Sequence, residues 1–305
     1  MKKAFIQLHI AVFLAGFTGV LGKLIHLNEG LLVWYRLFIA SVTMWIIFSI
    51  TKKLKRIPVS DIWKLTGIGF LAALHWVTFY GSIKSSNVSV ALVCFSSVGF
   101  FTALLEPLIH RTKIKWSEVS LGLMVIAGIY IIFNFDPQYK TGIILGVISA
   151  VLIAIVIILL KQFVHRINPE TLLTYQLSGG VVTLSAIMPF YMHRFPTHYI
   201  FPDFNDWMWL LVLSWLCSVI AFQFSVYALK KLSAFTVNLT FNMEPIYGII
   251  LAFIIYKENQ LLSKWFFIGF AIIILSLIIH VILLLKEDKK RSLYATIESI
   301  PPKNN

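Results

Sequence analysis

Apolar stretches close to twenty residues long alternate with short polar connections, and the alternation repeats ten times along the chain. The stretches run over roughly 4–22, 31–50, 64–83, 88–109, 117–135, 141–160, 170–191, 207–229, 234–256 and 265–285. An α-helix rises 1.5 Å per residue, so about 20 such residues cross the hydrocarbon of a bilayer. No water is available there to bond the backbone, and a helix bonds its own. The pattern predicts an all-α membrane protein with ten transmembrane helices. The connections are short and leave no length for a soluble domain, and the polar segment 286–305 is expected to be a disordered cytoplasmic tail.

Composition agrees with this pattern: 59% of residues are hydrophobic, 13% are charged, and the mean hydropathy is +0.86. These values exclude an ordinary soluble globule. The net charge of +13 would suit a nucleic-acid partner, but its placement does not. With the N-terminus on the cytoplasmic side, the inner connections carry Lys52, Lys53, Lys55 and Arg56, then Arg111, Lys113 and Lys115, then Lys161 and Arg166. The outer connections are sparser, with Lys23, Lys84, Lys140 and Lys257 among the few cations. That asymmetry is the positive-inside bias of a multi-pass protein of the bacterial inner membrane with both termini in the cytoplasm. The basic charge is then a topology signal with an attraction to membrane lipids, and no nucleic-acid partner is expected.

Five spans per half suggest an internal repeat, and a shift of about 140 to 147 positions aligns Leu32, Tyr35, Leu37 and Thr43 with Leu172, Tyr175, Leu177 and Thr183. Further on, Ser86, Val90 and Leu92 align with Ser233, Val237 and Leu239. Small residues recur every fourth position in the opening span of each half, at Ala11, Ala15 and Gly19 and at Gly146, Ala150 and Ala154. That spacing lets helix backbones approach closely in lipid. Five is odd, so the second copy enters the membrane from the opposite side. The expected organisation is two inverted five-helix repeats, 1–138 and 139–285, an arrangement common among secondary transporters with a midplane site between the copies.

Ten spans, short loops, two five-span repeats, Arg36 within "WYRLFIA" and alanine- and serine-rich fourth and ninth spans resemble the EamA-type members of the drug/metabolite transporter superfamily over about residues 5–285. The resemblance implies export of a small metabolite such as an amino acid. Members of that family often carry a proline midway along both the fourth and ninth spans and an acidic residue at their ends. Here the ninth span has Pro245 and Glu258, while the aligned positions of the fourth are Val98 and Arg111. The two halves are therefore expected to be functionally unequal.

Candidate binding residues are the polar and aromatic groups at middle depth. Glu244 lies about ten residues into its span, or ~15 Å along the helix. An acid there is costly and faces either a partner or a cavity. Pro245 beside it removes the bond to the carbonyl of Phe241 and bends the helix, which makes it the candidate hinge. Asn238, Asn242 and Pro245 share one stripe, with Glu244 more than about 100° away at 100° per residue. His75, Trp76 and Gln223 share the same depth, and Tyr80, Tyr175, Tyr227 and Tyr247 are candidate aromatic lining. A packing role remains open for each aromatic and for His75. Arg36, ~9 Å below the outer surface, either snorkels to the interface or binds a solute anion.

No Walker motif is present, and Cys94 and Cys217 lie in apolar runs without metal-ligand spacing, so neither ATP, a cofactor nor a metal is expected. The expected partner is a small-molecule solute, with coupled protons as a possible driving ion. The rival classes are an intramembrane enzyme, which has no intramembrane aspartate pair to work with, and a sensor or scaffold, which has no soluble output domain.

Overall fold

The computed structural model describes residues 2–164, 166–229, 231–232 and 234–298. The first repeat comprises α1 (Lys2–Leu24), α2 (Glu29–Ile50), α3 (Val59–Ser85), a fourth span in two pieces, α4 (Val88–Phe95) and α5 (Val98–His110), and α6 (Trp116–Phe135). The second comprises α7 (Lys140–Lys161), α8 (Pro169–Arg194), an eighth span built from α9 (Phe204–Ser214), a π-helical turn (Trp215–Ile220) and α10 (Ala221–Leu229), a ninth span in two pieces, α11 (Ala234–Phe241) and α12 (Glu244–Tyr256), and α13 (Lys264–Glu298). Among the described residues, nine helical stretches are long and apolar enough to cross a membrane, and α11 with α12 supplies the tenth span. The end of the bundle that holds the N-terminus is called basal below, and the opposite end apical.

Local chemistry sets the helix boundaries. Asn28 caps α2 by accepting from Leu31 N at 2.8 Å, Asn87 caps α4 through Val90 N at 2.8 Å, and Asp203 caps α9 through Asp206 N at 2.8 Å. Arg111 and Lys257, 146 positions apart, end the fourth and ninth spans in the left-handed conformation at φ 53° and 52°. α13 continues as helix to Glu298, past the boundary expected at 285, through a stretch rich in good helix formers with no proline before Pro301. Residues 299–305 of the expected tail lie outside the described residues.

The repeats interlock. α3 packs between α7 and α8 of the other repeat, and the eighth span packs on α1 and α2 in the same way. The closing spans α6 and α13 pair through Gly128 and Gly269, where a Cβ on Gly128 would lie 2.6 Å from the Gly269 carbonyl oxygen. α1 meets α12 as closely: a Cβ on Gly16 would lie 2.8 Å from the Glu244 carbonyl oxygen. Only glycine permits these two crossings, and close backbone contact is what holds helices together where lipid competes for apolar surface. Large apolar side chains such as Ile46, Trp63, Phe190 and Ile254 stay on the outside, as a lipid-facing surface requires.

Candidate solute site at two broken spans

The fourth and ninth spans break at equivalent positions by different chemistry. α5 begins at Val98 and α12 at Glu244, an offset of 146. In the ninth span Pro245 sits in the first turn of α12, where its missing N–H is tolerated, and the interruption falls just before it at Asn242 and Met243. In the fourth span Pro107 lies farther along α5, and no proline stands at the break. There the hydroxyls of Ser96 and Ser97 bond the carbonyls of Leu92 at 3.2 Å and Cys94 at 2.6 Å, displacing the regular ladder. The missing proline therefore does not make the fourth span continuous. The break also changes the helical-wheel argument for Glu244, because an increment of 100° per residue does not carry across Asn242–Met243.

Arg36 projects into the bundle rather than toward the interface. Its residue is 4% exposed, its Nη1 donates to the Tyr80 hydroxyl at 2.7 Å, and its Nε donates to Ser218 Oγ at 3.2 Å. The guanidinium lies 4.6 Å from the Trp76 ring centre, a cation–π contact. Ser218 belongs to the π-helical turn, and Ser214, just before that turn, donates to the Arg36 carbonyl at 3.2 Å. Turns of this kind are rare and recur at functional sites. Among the described residues no carboxylate lies within ion-pair distance of Arg36.

Glu244 is the acid nearest in role. It is enclosed by the bundle yet partly accessible, makes no hydrogen bond among the described residues, and feels the charge of Arg36. Arg36, Trp76 and Tyr80, with Ser218, thus form one contact group joining α2, α3 and the eighth span, and Glu244 stands at the start of α12 within the field of Arg36. Asn242 and Gln223 are also half-buried and make no side-chain hydrogen bond among the described residues.

Other sequence candidates stand apart from this group. His75 is 4% exposed, with Nδ1 2.8 Å from Ser149 Oγ and 3.0 Å from the Ser149 carbonyl, so it ties α3 to α7 as a packed histidine. Tyr175 contacts Trp45 at the α2–α8 seam, edge to face at 5.4 Å. Tyr247 pairs its hydroxyl with His9 Nδ1 at 3.1 Å beside an outer apolar groove that includes Phe5, Ile10 and Phe13. Tyr227 is exposed. The side chain of Asn238 lies outside the described residues.

Three buried acids stand at the ends of the bundle; Asp61 and Asp206 were not singled out from the sequence, and Glu258 was noted only as the acid that ends the ninth span. Asp206, fully buried, accepts from His26 N at 3.0 Å, Leu27 N at 3.3 Å and the Tyr199 hydroxyl at 3.1 Å. Asp61, 145 positions earlier, holds Arg166 through two bonds of 2.9 and 3.0 Å. Each acid lies in the first turn of the third span of its repeat and grips the opening connection of the other repeat. Glu258, also fully buried, accepts from Lys23 Nζ at 2.8 Å, Val88 N at 3.1 Å, Ser89 N at 2.9 Å and Ser89 Oγ at 2.6 Å. Glu106, near the end of α5, pairs with Lys161 of α7. A short Asx-x-x-Asp signal at Asp203–Asp206 was the one local clue to any of these contacts.

Ten spans, two inverted copies and broken helices at the repeat interface define a multi-pass membrane transporter. Residues 2–134 and 140–281 each match the EamA-like transporter family, and the chain belongs to it. An uncharacterized transporter YxxF of Bacillus subtilis (strain 168) is 24% identical over 220 residues, 69% of this chain and 68% of that protein. An uncharacterized transporter of Archaeoglobus fulgidus is 22% identical over 216 residues, 70% of this chain and 75% of that protein. A solved crystal structure, described only as that of a protein, superposes with a TM-score of 0.62 at 15% identity, over 94% of this chain and 99% of that one, and shows a shared fold. The family's members are transporters and not enzymes.

Proposed function

We propose that the chain exports a small metabolite carrying both a carboxylate and an amine, such as an amino acid, by alternating access across the bacterial inner membrane. The carrying observation is a buried guanidinium that has no acid paired to it among the described residues, in the same bundle as a carboxyl that has no hydrogen bond among them. An isolated charge is costly away from water unless it is matched. A zwitterion matches both charges at once: its carboxylate accepts from Arg36, and its ammonium donates to Glu244. Trp76 and Tyr80 then offer the rest of the solute a flat aromatic wall.

Tyr80 and Ser218 matter because they fix the guanidinium fork before the solute arrives. A preset donor gives up less conformational freedom on binding. After release, a proton takes the place of the solute's ammonium on Glu244 for the return step, and this exchange couples export to proton entry. The basic basal end supports a cytoplasmic location for that end and for both termini.

Efflux of a radiolabelled amino-acid mixture from reconstituted vesicles tests this reading. Arg36→Gln removes a charge-assisted contact of about 1.5–3 kcal/mol and is expected to weaken apparent affinity by roughly 10- to 150-fold. Glu244→Gln is expected to remove the pH dependence of efflux while leaving carboxylate recognition in place. Wild-type efflux of neutral alcohols or sugars, with none of any amino acid, overturns the solute class but not transport itself.

A further inference from the structure

In a pair of inverted repeats, contacts that obey the internal symmetry exist at both faces and do not distinguish one face from the other. Contacts that break the symmetry do. The Asp61–Arg166 and Asp206–His26 ties obey it: the acids are 145 positions apart, their partners 140 apart, and both ties are closed. They are staples common to the two halves.

The fourth and ninth spans break the symmetry. At the apical end α4 packs on α12, with Leu92 Cδ1 2.4 Å from where a Cβ on Gly248 would stand. At the basal end α5 and α11 make no comparable contact among the described residues. The apical contact is locked by Glu258, which follows the ninth span and caps the N-terminus of α4, the start of the fourth. Four donors converge on this carboxylate, one of them Lys23 at the end of α1, and the positive end of α4 favours its charge. Lys23 is held in turn over the Tyr256 ring at 4.4 Å, and the Tyr256 hydroxyl donates to the Val20 carbonyl at 2.9 Å.

At the basal end Glu106, in the last turn of α5, pairs with Lys161 of α7 as Glu258 does with Lys23, but that pair is half exposed and among the described residues Glu106 caps no helix. Lys257 and Arg111 share the same left-handed backbone, which corrects the sequence alignment by one position: the residue matching Glu258 is Thr112 and not Arg111, and it is flanked by Arg111 and Lys113.

Resting on the alternating-access reading above, we propose that Glu258 is the gating residue of the apical face. Its grip on α4 and Lys23 holds the fourth and ninth spans together, and its release lets the two broken spans part and open the site apically. Among the described residues the basal face has only the half-exposed Glu106–Lys161 pair in the corresponding place, a weaker tie than the buried Glu258.

The test uses the full-length protein with Cys94 and Cys217 replaced by alanine and a reporter cysteine at Ser96, in the break of the fourth span. A membrane-impermeant maleimide is applied from each face of sealed vesicles. Glu258→Gln is expected to raise the apical labelling rate about tenfold or more and to leave basal labelling unchanged or lower. Ser89→Ala removes only the 2.6 Å bond and is expected to act in the same direction with smaller effect, which keeps the test usable where Glu258→Gln folds poorly. Asp206→Asn, which cuts a staple, is expected to leave apical labelling at the wild-type rate.

Apical labelling unchanged in both Glu258→Gln and Ser89→Ala overturns the assignment. So does an equal rise in Asp206→Asn, which would mean general loosening. Labelling needs no solute, so a wild-type protein that transports nothing sinks the transport reading and leaves the gating result to be judged on its own rates.

Discussion

Asp206→Asn is expected to destabilise the protein far more than Asp61→Asn, although the two acids are repeat equivalents. Both are buried, at 0% and 3% exposure, so exposure of the acid does not separate them. Their partners do. Asp206 is held by the backbone amides of His26 and Leu27 and by the Tyr199 hydroxyl, groups fixed by the fold. An asparagine presents an N–H₂ where one oxygen accepted, leaving at least one donor opposed by another donor. Each buried donor without an acceptor costs about 1–3 kcal/mol, and loss of the charge weakens the remaining bonds, so a total near 3–4 kcal/mol is expected.

Asp61 is held by Arg166, whose side chain is half exposed and can turn to water when the carboxylate is neutralised. Exposed or half-exposed pairs are worth up to about 1 kcal/mol. Glu118→Gln, which cuts the exposed Lys115–Glu118 pair at 2.9 Å, sets the lower end at about 0.5 kcal/mol or less. Thermal unfolding in detergent reads the ranking: at roughly 2–4 °C per kcal/mol, Tm falls by about 6–16 °C for Asp206→Asn and by at most about 4 °C for Asp61→Asn. Equal losses at the two positions would refute the argument that immobile backbone donors, and not burial of the acid, set the cost.

Two further outcomes follow from the architecture. Pro245→Ala restores an N–H that can bond the Phe241 carbonyl, and is expected to slow initial transport rates several-fold while leaving membrane insertion intact; unchanged rates at matched expression remove Pro245 as a hinge. A cysteine placed at Lys257 is expected to react with impermeant reagent applied to whole cells and one at Lys53 to stay unlabelled, and the reverse pattern would invert the topology.

The spans and their pairing were legible because both are local signals. Hydropathy over twenty residues marks a span, and a small residue every fourth position marks a close crossing, as Gly146 shows with its would-be Cβ 2.7 Å from Cys94 Cβ. The break at Ser96–Ser97 was hidden because two hydroxyls bonding backward look the same in sequence as two hydroxyls packing. The fate of Arg36 was equally open, since Tyr80 and Ser218 lie 44 and 182 positions away. Glu258 drew notice as a family-like acid, but its partners, at Lys23 and at Val88–Ser89, are more than a hundred residues distant. Side-chain bonds between helix ends leave no periodic trace.

The π-helical turn at Trp215–Ile220 lies where the repeat offset changes. The third spans begin at Val59 and Phe204, 145 apart, while the halves of the fourth and ninth spans begin at Val88 and Ala234, then Val98 and Glu244, each 146 apart. One residue has entered the second copy between these points. A π turn is the form a helix takes when it absorbs an insertion without losing its path, since each i→i+5 ring encloses one residue more than an α ring. The two walls around Arg36 are therefore unequal: the third span offers it Trp76 and Tyr80, while the eighth offers, from within the π turn, the hydroxyl of Ser218.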